Sequence, residues 1–325
     1  MSAPAPRRRR HGEEGVSILE MLVATTIMIA VTGAALELLG PVQGTFQAQP
    51  EAADVQQRLR VAVAALTRDI VMAGAGMGDG SGAAAYNVLA PVMPYRHGQT
   101  RDDPGAGVFY RPDTLTVVSV PEPAAPARES HTYYLKPDVA TGAYRLMHYD
   151  GEVTDSPVVD NVVALAFEYF GDPRPPTLTT GDNPGHAVGP RTTYGAAPPG
   201  LDLDADPQDE YGPGENCVFA VSGGRQVSRL AQLGGNEGDV RLEPAVLSDG
   251  PWCPAWASPD RYDADLLRVR RIRIAIRLQA AAPFRGPAGV LFSQGGTATT
   301  APRRVPDRGV TFDIAPRNMP PSGGT

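Results

Sequence analysis

The sequence contains few of the residues and motifs on which most enzymes depend. It has two cysteines, too few for a cysteine-only zinc site or an iron–sulfur cluster, although they allow one disulfide. HExxH, GxSxG and P-loop patterns are all absent. The histidines are scattered along the chain, at His11, His97, His131, His148 and His186. Nothing here argues for catalysis, and we expect a non-enzymatic protein without a cofactor.

The chain is also poor in lysine and in aromatic residues. Lys136 is the only lysine, so arginine supplies 28 of the 29 basic residues, and 36 acidic residues leave a net charge of -7. This acidic surplus makes nucleic acid an improbable partner for the surface as a whole. Glycine (36) and proline (33) make up about a fifth of the 325 residues, below the level of disordered chains. We therefore expect a loop-rich globular body that contains strands.

One long apolar run, residues 16–39, stands near the N-terminus and follows four consecutive arginines at positions 7–10. As a helix its 24 residues measure about 36 Å, enough to cross the hydrocarbon core of a bilayer. The arginines should keep the N-terminus in the cytoplasm. We therefore expect a single-pass protein of a bacterial inner membrane, with the body on the far side.

Glu20 is out of place in this run. A carboxylate that is buried unpaired in lipid costs about 2.5–3.5 kcal/mol or more. A position at the headgroup level would avoid that cost, whereas a partner cation would compensate it. Because the surrounding residues form a further pattern, we favour a partner cation for Glu20.

The segment Gly15-Val-Ser-Ile-Leu-Glu20 resembles the processing site of type IV prepilins and type II secretion pseudopilins. The resemblance implies that a prepilin peptidase cleaves between Gly15 and Val16 and methylates the new amine. It implies that Glu20 neutralises the N-terminal amine of a neighbouring subunit during assembly. The implied partners are other major and minor pilins, this peptidase and the inner-membrane assembly platform. Val16 stands where the family usually has Phe or Met, and because it too is apolar we expect processing to occur.

Two other interpretations of the N-terminus remain open. The apolar run could be the core of a secretory signal that is cleaved near residues 33–35, or it could be a plain single-pass anchor. Against the first, the run exceeds the 7–15 residues of a signal core and contains Glu20. A pilin-type segment accounts for both features.

A second helix is predicted over residues 50–73. Gly40-Pro41 should break or kink the first helix, Pro50 suits a first turn, and Gly74 suits a stop. Apolar residues recur at helical spacing, at Val55, Leu59, Ala62, Leu66 and Ile70. The end of this segment also resembles the corresponding helix of PilW-like minor pilins.

Strand-rich segments follow a Gly-rich loop that begins at Gly74. We predict strands at 113–120, 131–136, 143–149, 158–170, 217–221, 240–242, 267–278, 289–292 and 309–314. The fold class is therefore α+β and pilin-like, a long N-terminal helix packed on a large antiparallel β-rich domain. The predicted regions are a cleaved leader (1–15), an assembly helix (16–39), its amphipathic continuation (40–74) and the body (75–325).

Three groups in the body are candidate sites. Cys217 and Cys253 lie beyond the membrane, where a disulfide would add about 4 kcal/mol of stability, although two free thiols remain an alternative. Three acidic residues have part of the spacing of a calcium-binding loop: Asp204, Asp206 and Glu215. No helices are predicted on either side of them, so we favour a solvated acidic loop. One strand directs three arginines away from the core, as a binding patch or as a solvated or ion-paired face: Arg271, Arg273 and Arg277.

These features predict a PilW-like minor type IV pilin that initiates or caps a pilus. It would wait in the inner membrane and then join a pilus at the cell surface. A GspJ-like minor pseudopilin of a type II secretion system is the alternative within the superfamily. A pilus-tip adhesion or DNA-binding module that uses the arginine strand is an alternative of another class.

Overall fold

A computed structural model of the chain describes ten segments: residues 15–77, 89–96, 110–120, 128–139, 142–179, 191–192, 211–235, 238–253, 261–281 and 305–319. They contain one α-helix, α1 (Ile18–Met72), one 3-10 helix (Ala264–Arg268) and fourteen strands. The strands are β1 (Val92–Met93), β2 (Leu115–Ser119), β3 (Glu129–Asp138), β4 (Ala143–Tyr149), β5 (Asp155–Gly171), β6 (Leu178–Thr179), β7 (Arg191–Thr192), β8 (Phe219–Ser222), β9 (Arg225–Ser228), β10 (Val240–Leu242), β11 (Trp252–Cys253), β12 (Tyr262–Asp263), β13 (Val269–Leu278) and β14 (Arg308–Ile314). The α+β class is confirmed.

Helix α1 runs without interruption for 55 residues. The predicted break at Gly40-Pro41 and the predicted new start at Pro50 are therefore wrong. A proline removes one helical hydrogen bond but its fixed φ is compatible with a helix, so the turns on either side can continue. The C-terminal half of α1 is also held by packing, which outweighs local propensity.

That packing follows the apolar spacing of the sequence. Val55, Ala62, Leu66 and Ile70 are completely buried, and Leu59 packs against the same core. They lie against strands β2, β5, β13 and β14. The predicted apolar face of the second helical segment is confirmed.

An eight-stranded antiparallel sheet forms the body, in the order β1-β2-β3-β4-β5-β13-β14 with β10 paired to the end of β5. The long strand β5 is the centre: β4 and β10 occupy successive parts of one edge, and β13 follows the other edge. On β13 the buried positions alternate as predicted, at Ile272, Ile274, Ile276 and Leu278. Among the described residues, three two-stranded pairs lie outside this sheet, β6–β7, β8–β9 and β11–β12, and a disulfide links the segment before β8 to β11.

Most predicted strands correspond to observed ones, and those at 143–149 and 240–242 match in both bounds. The predicted strand at 289–292 lies outside the described residues. Strand β8 was predicted at 217–221, but its hairpin partner β9 was missed, although the turn between them is Gly223-Gly224 with φ of 59° and 75°. Two glycines at positive φ are the usual signature of a tight hairpin turn, so the sequence did carry this signal.

The end of α1 meets the C-terminal segment of the chain. Gly74, at φ 79°, follows the last helical turn as predicted, and its N–H donates to the Val118 carbonyl of the sheet (2.8 Å). The Arg317 N–H donates to the Val71 carbonyl at 3.2 Å. A carbonyl of the last helical turn, which has no partner within the helix, is thus satisfied by the chain's own tail.

The predicted strand 267–278 begins too early, because residues up to Arg268 lie in the 3-10 helix. The Arg268 side chain is fully buried. Its guanidinium forms an ion pair with Asp265 and donates to backbone carbonyls that include Ala231 (2.6 Å) and Pro173 (3.1 Å). Buried charge is tolerated only when it is paired and hydrogen-bonded. The cluster therefore ties the start of β13 to the loops around it.

Candidate functional site

The start of α1 is exposed and capped by its own side chains. Ser17 is the N-cap, and its Oγ accepts from the Leu19 N–H (3.3 Å). Its N–H donates to Oε2 of Glu20 (3.0 Å), which completes a capping box. Gly15 and Val16, the residues on either side of the predicted cleavage point, are exposed just before the cap. Both the peptide bond and the Glu20 carboxylate are thus accessible.

The first half of α1 presents apolar side chains to the outside on all sides. Every described side chain from Val16 to Glu37 is exposed, and the segment Ile18–Glu37 is long and apolar enough to cross a membrane. The large exposed side chains here are Ile18, Leu19, Met21, Leu22, Val23, Ile27, Met28, Ile29, Val31 and Leu36. A surface patch of this kind indicates contact with lipid or with other protein chains. A membrane anchor and a signal sequence both fit this composition.

The arginines of strand β13 are paired within the chain. Arg271 Nη1 lies 2.6 Å and Arg273 Nε 2.8 Å from the carboxylate of Asp313 on β14. The same two guanidinium groups lie over the ring of Phe170, at 4.0 and 5.0 Å from its centroid. The hydrogen bond from Arg273 leads the contributions that hold the pKa of Asp313 below its usual value. Arg277 approaches Asp307 at 3.9 Å. This geometry corresponds to the ion-paired face, and ligand binding by these arginines stays a prediction.

Cys217 and Cys253 form a disulfide, as predicted. Both residues are fully buried, and their Cα atoms are 5.2 Å apart. The bond links the segment just before β8 to strand β11, 36 residues later in the chain. Because few long strands cover this part of the body, the crosslink replaces part of the packing that a sheet would supply.

The acidic calcium candidate is only partly within the described residues, since Asp204 and Asp206 lie outside them. Glu215 is described, and it accepts a hydrogen bond from the Val221 N–H (2.7 Å) and forms an ion pair with Arg229 (2.7 Å). The bond from Val221 leads the contributions that lower the pKa of Glu215. The Glu215 carboxylate therefore bonds to residues of the β8–β9 hairpin and beside it, and the calcium alternative to a solvated loop stays untested.

A cluster of three potential metal ligands joins α1 to the sheet. Asp69 projects from the buried half of α1, while His131 and His148 lie on the neighbouring strands β3 and β4. The His131 Nδ1 atom is 3.0 Å from His148 Nε2, which in turn is 3.7 Å from Oδ2 of Asp69. All three ligand atoms lie within 4.8 Å of one another. We name this group the Asp69–His131–His148 cluster.

Neighbouring side chains set the charge of the cluster. Burial acts to raise the pKa of Asp69, but hydrogen bonds from Arg68 (2.8 Å) and the Tyr133 hydroxyl (2.6 Å) bring the net value below its usual range. Burial and the nearby His131 lower the pKa of His148. At neutral pH the cluster therefore offers a carboxylate and a neutral imidazole, which are the protonation states that ligate metals.

Sequence reasoning missed this cluster, because it treated the histidines as scattered. The strands that carry His131 and His148 were both predicted, with turn residues between them. Their register pairs Tyr133 with His148, which puts His131 and His148 on the same face of adjacent strands. A predicted hairpin register would have brought the two histidines together, whereas the approach of Asp69 depends on how α1 packs.

A comparison with known protein families, with functionally characterised proteins and with solved structures finds no match to this chain. Two arrangements of its own residues offer chemistry or contacts. One is the exposed apolar half of α1, which begins next to Gly15 and carries Glu20 in its first turn. The other is the Asp69–His131–His148 cluster.

Proposed function

We propose that this chain is a minor pilin of the type IV pilin superfamily, PilW-like, and that it is a structural subunit without enzymatic activity. One observation carries the proposal: α1 is a single helix whose first half is apolar and fully exposed, while its second half is built into the body. A subunit with this design can be stored in a membrane and later packed, by the same surface, among the helices of neighbouring subunits. The Gly15-to-Glu20 pattern supports the same conclusion.

The exposed half requires a partner on physical grounds. Burial of apolar surface contributes about 25 cal/mol per Å², so side chains as exposed as Ile18 and Met28 gain stability wherever water is excluded. Lipid and a bundle of similar helices both provide such an environment. Transfer from one to the other keeps this surface out of water, and polar contacts such as those of Glu20 can then decide the direction of assembly.

Glu20 is well placed for that role. Its carboxylate accepts from the Ser17 N–H at the exposed helix start, so it is already at the end of the helix where a chain terminus would approach. Cleavage after Gly15 would create a terminal amine at Val16. In a filament the Glu20 carboxylate would exchange its bond within the capping box for the amine of a neighbouring subunit. Each charge would be costly alone in a water-free bundle, and the pair offsets that cost.

The size of the body favours a place at the filament tip. The eight-stranded sheet with its disulfide-linked segment is larger than a subunit of a closely packed shaft needs. A tip subunit packs against neighbours on one side only, so a bulky body is tolerated there. Initiation or capping of the filament is therefore the role that we propose.

The decisive experiment is the intact mass and N-terminal sequence of the protein recovered from membranes. We expect a chain that starts at N-methylated Val16. Loss of the leader removes four arginines and two glutamates, so the formal charge changes from -7 to -9. A chain that starts at Met1, or one that is cut after Ala35, would contradict the proposal.

A matched pair of variants tests the role of Glu20. Glu20→Gln should insert and be cleaved normally but enter filaments poorly, because its amide cannot neutralise an amine. Glu37→Gln is the control, since it removes the other carboxylate of the same exposed half and should assemble normally. The readout is the amount of each variant in sheared filaments. Recovery of the chain with sheared pili would support a pilus subunit. Loss of enzyme secretion when the chain is absent would instead support a GspJ-like pseudopilin.

A further inference from the structure

We propose that the Asp69–His131–His148 cluster binds one divalent transition-metal ion of the zinc class, and that this ion links α1 to the β3–β4 hairpin. The site does not depend on the proposed pilin function. It combines one carboxylate from α1 with two imidazoles from the consecutive strands β3 and β4. Two histidines and one carboxylate form a ligand set that proteins commonly use for zinc.

The spacing of the ligand atoms fits a metal ion. With metal–ligand bonds of about 2.0–2.1 Å, two ligands of a tetrahedral ion lie about 3.3 Å apart. The observed separations are 3.0 Å between the His131 and His148 nitrogens, and 3.7 Å between the His148 nitrogen and the Asp69 oxygen. One separation is slightly shorter and the other slightly longer than the ideal. All three ligand atoms lie within 4.8 Å of one another, so ligation requires the side chains to adjust toward this ideal spacing.

The facing nitrogens of the two imidazoles are close enough to share one occupant. When the facing nitrogens of His131 and His148 are 3.0 Å apart, one must carry a proton and the other must accept it. A metal ion replaces that proton and satisfies both nitrogens at once, together with the Asp69 carboxylate.

The surrounding residues orient the ligands in the way that metal sites need. Tyr133 donates to Oδ2 of Asp69 and Arg68 donates to its Oδ1, and these contacts fix the orientation of the carboxylate. On the far side of His131, its Nε2 atom lies 4.0 Å from the carboxylate of Glu129, which would stabilise the ring as a ligand. The outer ligands are partly accessible, with 26% of His131 and 19% of His148 exposed, whereas Asp69 is buried. An ion can thus enter from solvent, and a water molecule can complete its coordination.

The test uses the full chain in detergent micelles, without a histidine tag and stripped with EDTA. Titration with Zn²⁺ in a calorimeter should show one site, and Co²⁺ should give the visible absorption of a tetrahedral complex. Zn²⁺ should also raise the midpoint of thermal unfolding, because an ion that binds only the folded state stabilises it. Absence of a single Zn²⁺ site in the wild-type protein would overturn the proposal.

Variants locate the ion. His148→Gln and Asp69→Asn each remove one ligand and should abolish the Co²⁺ spectrum. Each should also weaken Zn²⁺ binding by more than about 100-fold, because loss of a residue that only supports a ligand costs up to about 100-fold. Glu129→Gln changes the carboxylate behind His131 and leaves all three ligands in place, so it should keep the Co²⁺ spectrum and weaken Zn²⁺ binding by only about 10–100-fold. Unfolding curves in EDTA check that each variant is folded. Zn²⁺ binding that survives in a folded His148→Gln variant would also overturn the proposal.

Discussion

The two halves of α1 belong to one helix but have opposite surroundings. From Ile18 to Glu37 every side chain is exposed although most are apolar, whereas in the second half an apolar stripe that includes Leu66 and Ile70 is fully buried. The second half has the ordinary amphipathic pattern of a helix on a sheet. The first half is apolar on all sides, a pattern that occurs in membrane spans and in helices surrounded by other helices.

This difference shows that the second half stabilises the body, whereas the first half stabilises contacts with lipid or with other chains. The second half contributes to the stability of the body, because its stripe fills the core beneath β2, β5, β13 and β14. The first half contributes little to the isolated chain and gains its stability only in contact with lipid or other chains. We therefore expect substitutions in the two halves to affect different measurements.

The largest expected effect comes from a matched pair of leucine variants. Leu66→Ala should lower the free energy of unfolding of the body by about 2–5 kcal/mol, because it leaves a cavity in the core. Leu22→Ala, in the exposed half, should change it by less than about 0.5 kcal/mol. Chemical denaturation in detergent, followed by near-UV circular dichroism, measures both. If both variants lost the same free energy of unfolding, the exposed half would also pack on the body, and the contrast between the two halves would be wrong.

The disulfide should affect the body alone. Replacing both Cys217 and Cys253 by serine should lower the free energy of unfolding by about 4 kcal/mol in the chain-entropy model, since the bond closes a long loop. Helical content at the start of α1 should not change. Reductant provides the control: it should destabilise the wild-type protein to a similar extent and leave the double variant unaffected. A reduced wild-type protein that is as stable as the oxidised one would contradict this prediction.

The smallest expected effect, measured per pH unit, is a pH dependence that arises in the body. Burial raises the pKa of Asp263 to about 7, against hydrogen bonds from the N–H groups of Asp265 and Gly250, and burial raises that of Asp265 to about 6. Between pH 4 and 7 the folded state thus binds more protons than the unfolded state, and stability falls as pH rises. A single group contributes a slope of at most about 1.4 kcal/mol per pH unit.

Asp263→Asn isolates this effect. The variant cannot titrate, so its stability should depend less steeply on pH between 4 and 7 than that of the wild-type protein. Urea unfolding at several pH values measures the difference. Below pH 4 the two curves should run in parallel, because the loss of stability there comes from carboxylates with lowered pKa values, such as Asp313. Parallel curves over the whole range would show that Asp263 ionises at its ordinary pKa.

Much of the fold follows from local patterns. Leu66 and Ile70 are buried because apolar residues recur at the helical period of 3.6, and the buried positions of β13 follow the strand period of 2. Each period places the apolar side chains on one face, and that face needs only one apolar surface to pack against. Propensity was a weaker guide, since α1 continues through Pro41 and Pro50. The cost of a proline within a helix is local, whereas the packing of the second half acts over several turns.

Some candidate sites could likewise be predicted from the sequence, and others depend on the tertiary structure. The apolar run with Glu20 is contiguous in sequence and could be identified directly. The pairing of Cys217 with Cys253 was limited to one choice by the number of cysteines. In contrast, the partners of Arg271 and Arg273 could not be predicted, because Asp313 is 40 or more residues away and reaches them only through the β13–β14 register.

The sequence by itself determined that this chain has a long apolar helix with one carboxylate near its start, a second helical stretch with an apolar stripe, and no more than one disulfide in a strand-rich body. Each of these depends on neighbouring residues or on a count. Only the tertiary structure decided that α1 is continuous, that Arg268 is buried, and that Asp69 meets His131 and His148. These outcomes depend on strand register and on helix packing, and both bring together residues that are distant in the chain.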